Sequence, residues 1–227
     1  MMLIAEFGSS PALGWDVRRW CETAREAGAD ACKIQLFRAE HFPLAEQDSK
    51  RPLEFPRKRL AEFVETAHSL DLQAGASVFD TDAARLVGQQ CDFLKLAARE
   101  YRNERLIKSA YHEAAQRNIQ VYMTLPVVDG TRLRQTGVTL FTVPEQYPCP
   151  MWRGLLCAIQ AANLCRRCEH TNWGISSHTT GLLDCILAAR LGAAVVERRL
   201  ALTDTDIERP HSLLPAQFKR LAAALHR

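Results

Sequence analysis

The chain has 227 residues, 47% of them hydrophobic, enough to bury a sizeable core as one large domain or two small ones. Its 29 Lys and Arg nearly balance 26 Asp and Glu, and no basic block marks a nucleic-acid surface. No apolar stretch reaches the roughly 20 residues of a bilayer span, and the opening MMLIAEFG lacks the basic flank and long apolar core of a signal peptide.

These features predict a cytoplasmic protein with neither nucleic acid nor membrane as partner. The eight cysteines are then expected as thiols. Cys21, Cys32, Cys157 and Cys185 sit among apolar residues and read as core. Cys165, Cys168 and His170 in CRRCEH have no second ligand pair at zinc spacing, so the end of an amphipathic helix is the simpler reading.

From the amino end, short apolar runs alternate with helical patterns. Strands are expected at Leu3–Phe7, Ala31–Phe37, Leu72–Phe79, Phe93–Ala97, Gln120–Leu125, Val138–Val143, Asn172–Ser176 and Ala194–Leu200. Between them, apolar residues at three- and four-residue spacing predict helices over Asp16–Ala27, Arg59–Ser69, Asp82–Gln89, Glu104–Arg117, Met151–Cys168 and Leu182–Leu191. A last helix covers Leu214–Leu225, with Ser212 as its expected cap. Gly28 and Gly192 fall where left-handed helix ends are expected.

Eight strands with alternating helices predict parallel pairing through right-handed crossovers. Eight also closes a (β/α)8 barrel, and this length is at the compact end of that fold's range. A single-domain TIM barrel over 1–227 is therefore expected. An open doubly wound sheet is the alternative, disfavoured because MLIAEFG lacks a Gly-x-Gly-x-x-Gly turn. Only PVVDGTRLRQTG separates the fifth and sixth strands, too little for a full helix and two loops.

In such a barrel the reactive groups gather at the carboxyl ends of the strands. Strand one supplies Glu6, and strand two Lys33 and Gln35, two apart and on one face. Strand three ends in Ser77 and Asp80, and strand four carries Lys95, then Arg99 and Glu100. Strand seven ends in Ser176, Ser177 and His178, and strand eight holds Glu197, Arg198 and Arg199.

Charged side chains inside parallel strands are costly unless paired or used, because such strands are buried on both faces. Two lysines and an arginine converging on the mouth would form an anion site for phosphate or carboxylate. The competing reading is a buried ion network of Glu6, Lys33, Lys95 and Glu197 that only holds the barrel together.

Several segments resemble the sialic acid synthase family, which includes the legionaminic and pseudaminic acid synthases. IAEFG is similar to Ile-Ala-Glu-Ile-Gly, AGADACKIQLF to Ala-Gly-Ala-Asp-x-x-Lys-x-Gln-x-Phe, and FLKLAARE to Tyr-Lys-Ile-Ala-Ser-x-Glu. QYPCP resembles Tyr-Pro-Thr-Pro, WGISSHTTG resembles Gly-Tyr-Ser-Asp-His-Thr-x-Gly, and LGAAVVERRLAL resembles Leu-Gly-Ala-x-x-Ile-Glu-Lys-His-Phe-Thr-Leu. HSLLPAQFKRL is similar to the closing Ser-Leu-x-Pro-x-Glu-Phe. The matches run in order over nearly the whole chain.

The resemblance implies a barrel that condenses phosphoenolpyruvate with an N-acylated amino sugar, giving a 2-keto sugar acid and phosphate. It implies that Lys33 and Lys95 face phosphoenolpyruvate with Ser77 nearby, and that Glu6 and Gln35 share the cavity. Glu100 and Tyr147 would line the sugar side, joined by Ser176, Glu197 and Arg199. His178 would be a ligand of the divalent metal, manganese or magnesium, that polarises the sugar aldehyde. A homodimer is the family's habit.

The departures are specific. The family's first metal histidine corresponds to Thr142, and the aspartate before the second to Ser177. Ala98 stands for a serine, MTLPV for the Ser-Thr-Gly phosphate turn, SSPALGW for Asn-His-Asn, and Arg199 for a histidine. The sequence leads one to expect a member without the usual C-terminal antifreeze-like domain. One imidazole rarely holds a catalytic ion alone; Glu145 or Cys149 are substitutes off the expected place, and His178 is then expected either as a hydrogen-bonding or acid–base group or as a satisfied histidine packed at a loop base. Three functions stay open: the condensation, a silent barrel that binds a sugar or anion or supports a partner subunit, and a metal-free lysine aldolase.

Overall fold

The computed structural model describes residues 1–8, 14–125, 138–142 (as backbone), 147–167, 172–206 and 208–226. The parallel strands are β1 Met2–Glu6, β2 Ala31–Leu36, β3 Gln73–Val78, β4 Phe93–Leu96, β5 Gln120–Leu125, β6 Val138–Thr142, β7 Trp173–Ser177 and β8 Val195–Arg199. Each pairs with the next in chain order and β8 returns to β1, so the sheet closes on itself. The helices are α1 Val17–Glu26, α2 Leu44–Lys50, α3 Leu60–Ser69, α4 Thr81–Gln90, α5 Glu104–Arg117, α6 Met151–Arg167, α7 Leu183–Arg190 and α8 Pro215–Leu225. This is an α/β fold with helical crossovers outside a curled parallel sheet. The short segment between β5 and β6 lies outside the described residues.

Local chemistry sets the helix ends. Asp16, Asp80 and Asn103 each accept a hydrogen bond from a first-turn backbone N–H of α1, α4 and α5, satisfying donors that a helix leaves unpaired. One expectation fails here, and one helix has no counterpart in the sequence reading. Ser212 does not cap α8: its hydroxyl donates to the Glu208 carbonyl, while Pro215 opens the helix and Gln217 accepts from the Leu214 N–H. Helix α2 is absent from the sequence pattern, because LAEQDSK buries none of its residues and so shows no apolar stripe.

The two-residue alternation of strands divides the core. Outward residues such as Leu3, Ala5, Cys32, Ile34, Ala76, Leu94, Met123 and Val196 pack under the helices in one large cluster. Inward, Ile4, Ala31, Phe93, Tyr122 and Val195 plug the amino-terminal end of the barrel. Gly75 leaves room for the plug, since a methyl group there would lie 2.1 Å from the Phe93 ring. Further along the same inward faces come Glu6, Lys33, Ser77, Lys95, Thr124, Ser176, Glu197 and Arg199, all buried. The apolar plug thus ends where the polar groups begin.

All seven described cysteines, Cys21, Cys32, Cys157 and Cys185 among them, are buried and unpaired by disulfides. Cys165 is buried in α6, whereas Cys168 and His170 lie outside the described residues. No described helix is long and apolar enough to cross a membrane.

Candidate active site

Strand register brings the polar groups together. It sets Glu6 beside Lys33 and Arg199, Ser77 beside Lys95, and Ser176 beside Glu197. Lys33 Nζ donates to Glu6 Oε1 and to Ser77 Oγ, both at 2.6 Å, and lies 3.7 Å from Glu197 Oε2. Lys95 Nζ donates to Glu197 Oε1 at 2.6 Å and Ser176 Oγ at 2.5 Å. Gln35 Nε2 donates to Glu6 Oε1 at 2.8 Å. Glu197 therefore ties both ammonium groups to one place. The buried ion network considered as a purely structural alternative does exist.

The network also borders a cavity of about 430 Å³. Its wall includes Lys33, Lys50, Lys95, Arg99 and Arg199 against three carboxylates, Glu6, Glu197 and Glu208, so the enclosure is cationic. Phe37, Phe42 and Phe79 form an aromatic side, with Lys50 Nζ 5.1 Å and Arg99 Cζ 4.6 Å from the Phe42 ring centre. Among the described buried polar atoms without a hydrogen-bond partner are Thr124 Oγ1, His178 Nδ1, Glu197 Oε2 and Arg199 Nε. All belong to residues lining this cavity. Buried polar groups are ordinarily satisfied, so four such residues facing one space mark a place for a polar guest.

Burial and charge tune the groups. Burial pushes the Lys95 ammonium down to about 8, against the pull of Glu197. Burial would raise the Glu6 carboxyl, but Lys33, then Arg199 and Lys95, hold it well below the usual range. Burial, followed by the Arg199 charge, drives His178 well below the ordinary imidazole value and His211 to about 4. Both rings are neutral near pH 7.

The polar run WGISSHTTG divides its labour. Ser176 points inward to Lys95 and Glu197. Ser177 Oγ points the other way, donating to Asp184 Oδ2 of α7 at 2.5 Å and accepting from Arg198 Nη1 at 2.6 Å. Thr179 Oγ1 donates to Asp184 Oδ1 at 3.0 Å, and Arg198 Nη2 donates to the Thr179 carbonyl at 2.8 Å. His178 is thus clamped on both sides and its ring joins the cavity wall. It lies 4.1 Å from the Tyr147 ring and 6.0 Å from that of His211, centre to centre.

Of the residues singled out from sequence, Glu6, Lys33, Gln35, Ser77, Lys95, Tyr147, Ser176, His178, Glu197 and Arg199 line the one cavity. Glu100 does not; it sits in a 3-10 turn and accepts from Asn103 Nδ2 at 2.9 Å. Thr124, Glu208 and His211 line the wall and escaped the sequence reading. For Thr124 the inward phase of β5 could have found it. Glu208 and His211 follow β8 in a loop that only tertiary packing returns to the site.

The described donors do not fit a divalent ion. No group of three or more His, Cys, Asp or Glu side chains among the described residues is arranged to hold one. The side chains of Thr142 and Glu145 lie outside the described residues, and Cys149 turns its thiol to the Pro150 carbonyl. The Arg199 charge also acts on both neighbouring imidazoles, where a metal would have to sit.

A curled parallel α/β sheet with a cationic pocket inside its carboxyl-terminal mouth is the arrangement in which barrel proteins, as a class, place their sites. Within that class, the family model described as the NeuB family matches residues 20–227, and the chain belongs to that family. Among solved structures it resembles the N-acetylneuraminic acid (sialic acid) synthetase of Leptospira borgpetersenii serovar Hardjo-bovis, solved with citrate. That protein is 19% identical, with all of this chain and 82% of the other covered and a TM-score of 0.88. The spore coat polysaccharide biosynthesis protein SpsE of Bacillus subtilis is 20% identical, covering 99% and 67%, at 0.80. A truncated 3-deoxy-D-arabino-heptulosonate 7-phosphate synthase of Thermotoga maritima is 16% identical, covering 100% and 85%, at 0.72. Among curated proteins no sequence match is found.

Proposed function

We propose that this chain is a (β/α)8 barrel and a carbon–carbon bond-forming transferase that condenses phosphoenolpyruvate with an N-acylated amino sugar. The products are a 2-keto sugar acid and phosphate. The observation that carries the reading is the convergence of Lys33 and Lys95 on Glu197 beside a cavity whose wall holds unsatisfied buried polar atoms. A small dianion or trianion supplies acceptors for the Lys33 and Lys95 ammonium groups, in an enclosure where charge–charge interactions are stronger than in water. On this reading the enol carbon attacks the aldehyde carbon, water adds at C2, and phosphate leaves with the C2–O bond pair.

Lys33, Lys95 and Ser77 bind and orient the anion, Gln35 and Glu6 fix Lys33, and Glu197 and Ser176 fix Lys95. Neutral His178 presents a ring nitrogen to the acceptor, with Tyr147 packed against it. The same reading carries a cytoplasmic site of action, a homodimer, and no contact with nucleic acid or membrane. Calorimetric titration with phosphoenolpyruvate tests the core of it. Saturable binding is expected, weakened about 10- to 100-fold in Lys95→Ala, the worth of a charge-assisted hydrogen bond. Absence of binding to the native chain overturns the reading.

A second reading has its own support, because a lysine held at about 8 is partly neutral and nucleophilic. A lysine aldolase would form a Schiff base with pyruvate. Borohydride trapping of a pyruvate adduct, lost in Lys95→Ala, would replace the condensation by this chemistry.

A further inference from the structure

We propose that Arg199 activates the acceptor at this site: its fixed guanidinium donates to the carbonyl oxygen as negative charge develops there, and no metal ion is needed for it. The inference rests on the condensation reading above and adds the group that activates the second substrate.

Arg199 ends β8 inside the barrel mouth with only 9% of its side chain exposed. Its Nε lies 3.6 Å from Glu6 Oε2, and its Nη1 contacts Glu208. Nε makes no hydrogen bond. Glu208 takes up Nη1, while Glu6 balances charge near Nε without accepting a hydrogen bond from it, so the Nε–H is the donor left for a guest. Gly8 keeps the space open: a methyl group there would collide with Arg199 Nη1 and the Glu208 carboxylate. A guanidinium stays charged throughout the working pH range and presents a planar fork of N–H groups. Donors arranged in advance stabilise an oxyanion with little reorganisation.

The neighbours favour this role over a metal. His178 and His211 share the wall with Arg199, and the described residues offer no third ligand in suitable geometry. A dication placed among these rings would face a buried permanent cation. In the bond-forming step the enol electron pair makes the new bond to the carbonyl carbon. The carbonyl π pair moves to oxygen, where Arg199 donates hydrogen bonds and solvent supplies the proton. Water adding at C2 and phosphate leaving complete the balance.

The test begins by confirming phosphoenolpyruvate binding; a failure there sinks the condensation reading itself, whereas the metal and rate measurements bear on Arg199 alone. The chelator-treated native chain, saturated with phosphoenolpyruvate, is then titrated with manganese and free Mn²⁺ is read by electron paramagnetic resonance. The expected result is no uptake beyond that of phosphoenolpyruvate alone. Uptake of about one ion per chain, abolished in His178→Ala, overturns the proposal.

Phosphate release with an amino-sugar panel gives the second arm. Activity is expected to survive chelation and to fall about 100-fold in kcat in Arg199→Ala, the scale of one lost oxyanion donor. The affinity for phosphoenolpyruvate should change less than about threefold. Methylguanidine should restore part of the lost rate, and Arg199→Lys, which keeps the charge, should retain more of it. Rescue of Arg199→Ala by manganese but not by methylguanidine would overturn the assignment, as would an unchanged kcat.

Discussion

The floor and the rim of the cavity are built on different principles. The floor consists of strand residues: Glu6, Lys33, Ser77, Lys95, Ser176 and Glu197 are placed by register, and contacts of 2.5 to 2.6 Å link each lysine to a carboxylate and a hydroxyl. The rim gathers Tyr147, His178, Glu208 and His211 from segments beyond strand ends. On the floor charges are matched; on the rim two neutral imidazoles flank an arginine that pairs with Glu208 through Nη1 and leaves its Nε without a hydrogen bond. Matched charges hold the barrel mouth in shape, and unmatched donors are what a substrate can use.

The largest expected effect tests the floor. Glu197→Ala strips a carboxylate from both buried lysines and should destabilise the fold by about 3–5 kcal/mol, read in a denaturant titration. A loss under about 1 kcal/mol would mean that the floor is not one network. Next comes the clamp beneath the rim. Asp184→Ala leaves Ser177 and Thr179 without their acceptor and should cost about 1–3 kcal/mol. It should also lower kcat while leaving phosphoenolpyruvate affinity within about threefold, because the floor is untouched.

A pH titration sharpens the contrast further. Lys95 sits at about 8, so phosphoenolpyruvate affinity should fall about tenfold per pH unit above 8 as its ammonium discharges. The same depressed value has a sign for stability. The unfolded chain binds more protons than the folded one between about 8 and the ordinary lysine value. Lys95 therefore disfavours the fold below pH 8, and that cost is relieved as pH rises through the window. A flat binding profile to pH 10 would place the anion elsewhere. The smallest effect is a control: Arg18→Ala removes an exposed pair with Glu22 at 3.5 Å and should leave the melting temperature unchanged.

The same division explains how much of the site is legible in the sequence. Lys33 and Lys95 stand out because a charge inside an otherwise apolar parallel strand has no cheap location except a functional or paired one. The two-residue period then carries Glu6, Gln35, Ser77 and Glu197 onto the same inward face. Thr124 escapes because a β-branched hydroxyl residue in a strand is ordinary. Glu208 and His211 escape because a loop's return path is set by tertiary packing rather than by local pattern. Glu100 is expected in the cavity by analogy with a motif, but the 3-10 turn at Ala98–Glu100 takes it to Asn103. Helix α2, with no buried residue, leaves no periodic trace.

The most direct test is a crystal structure with phosphoenolpyruvate soaked into the chain. Density for its phosphate and carboxylate within hydrogen-bond reach of the two ammonium nitrogens, with the reacting carbon toward the imidazole wall, is what this account predicts. Ligand seated outside the barrel mouth, or an undisturbed ion network at saturating concentration, would contradict it.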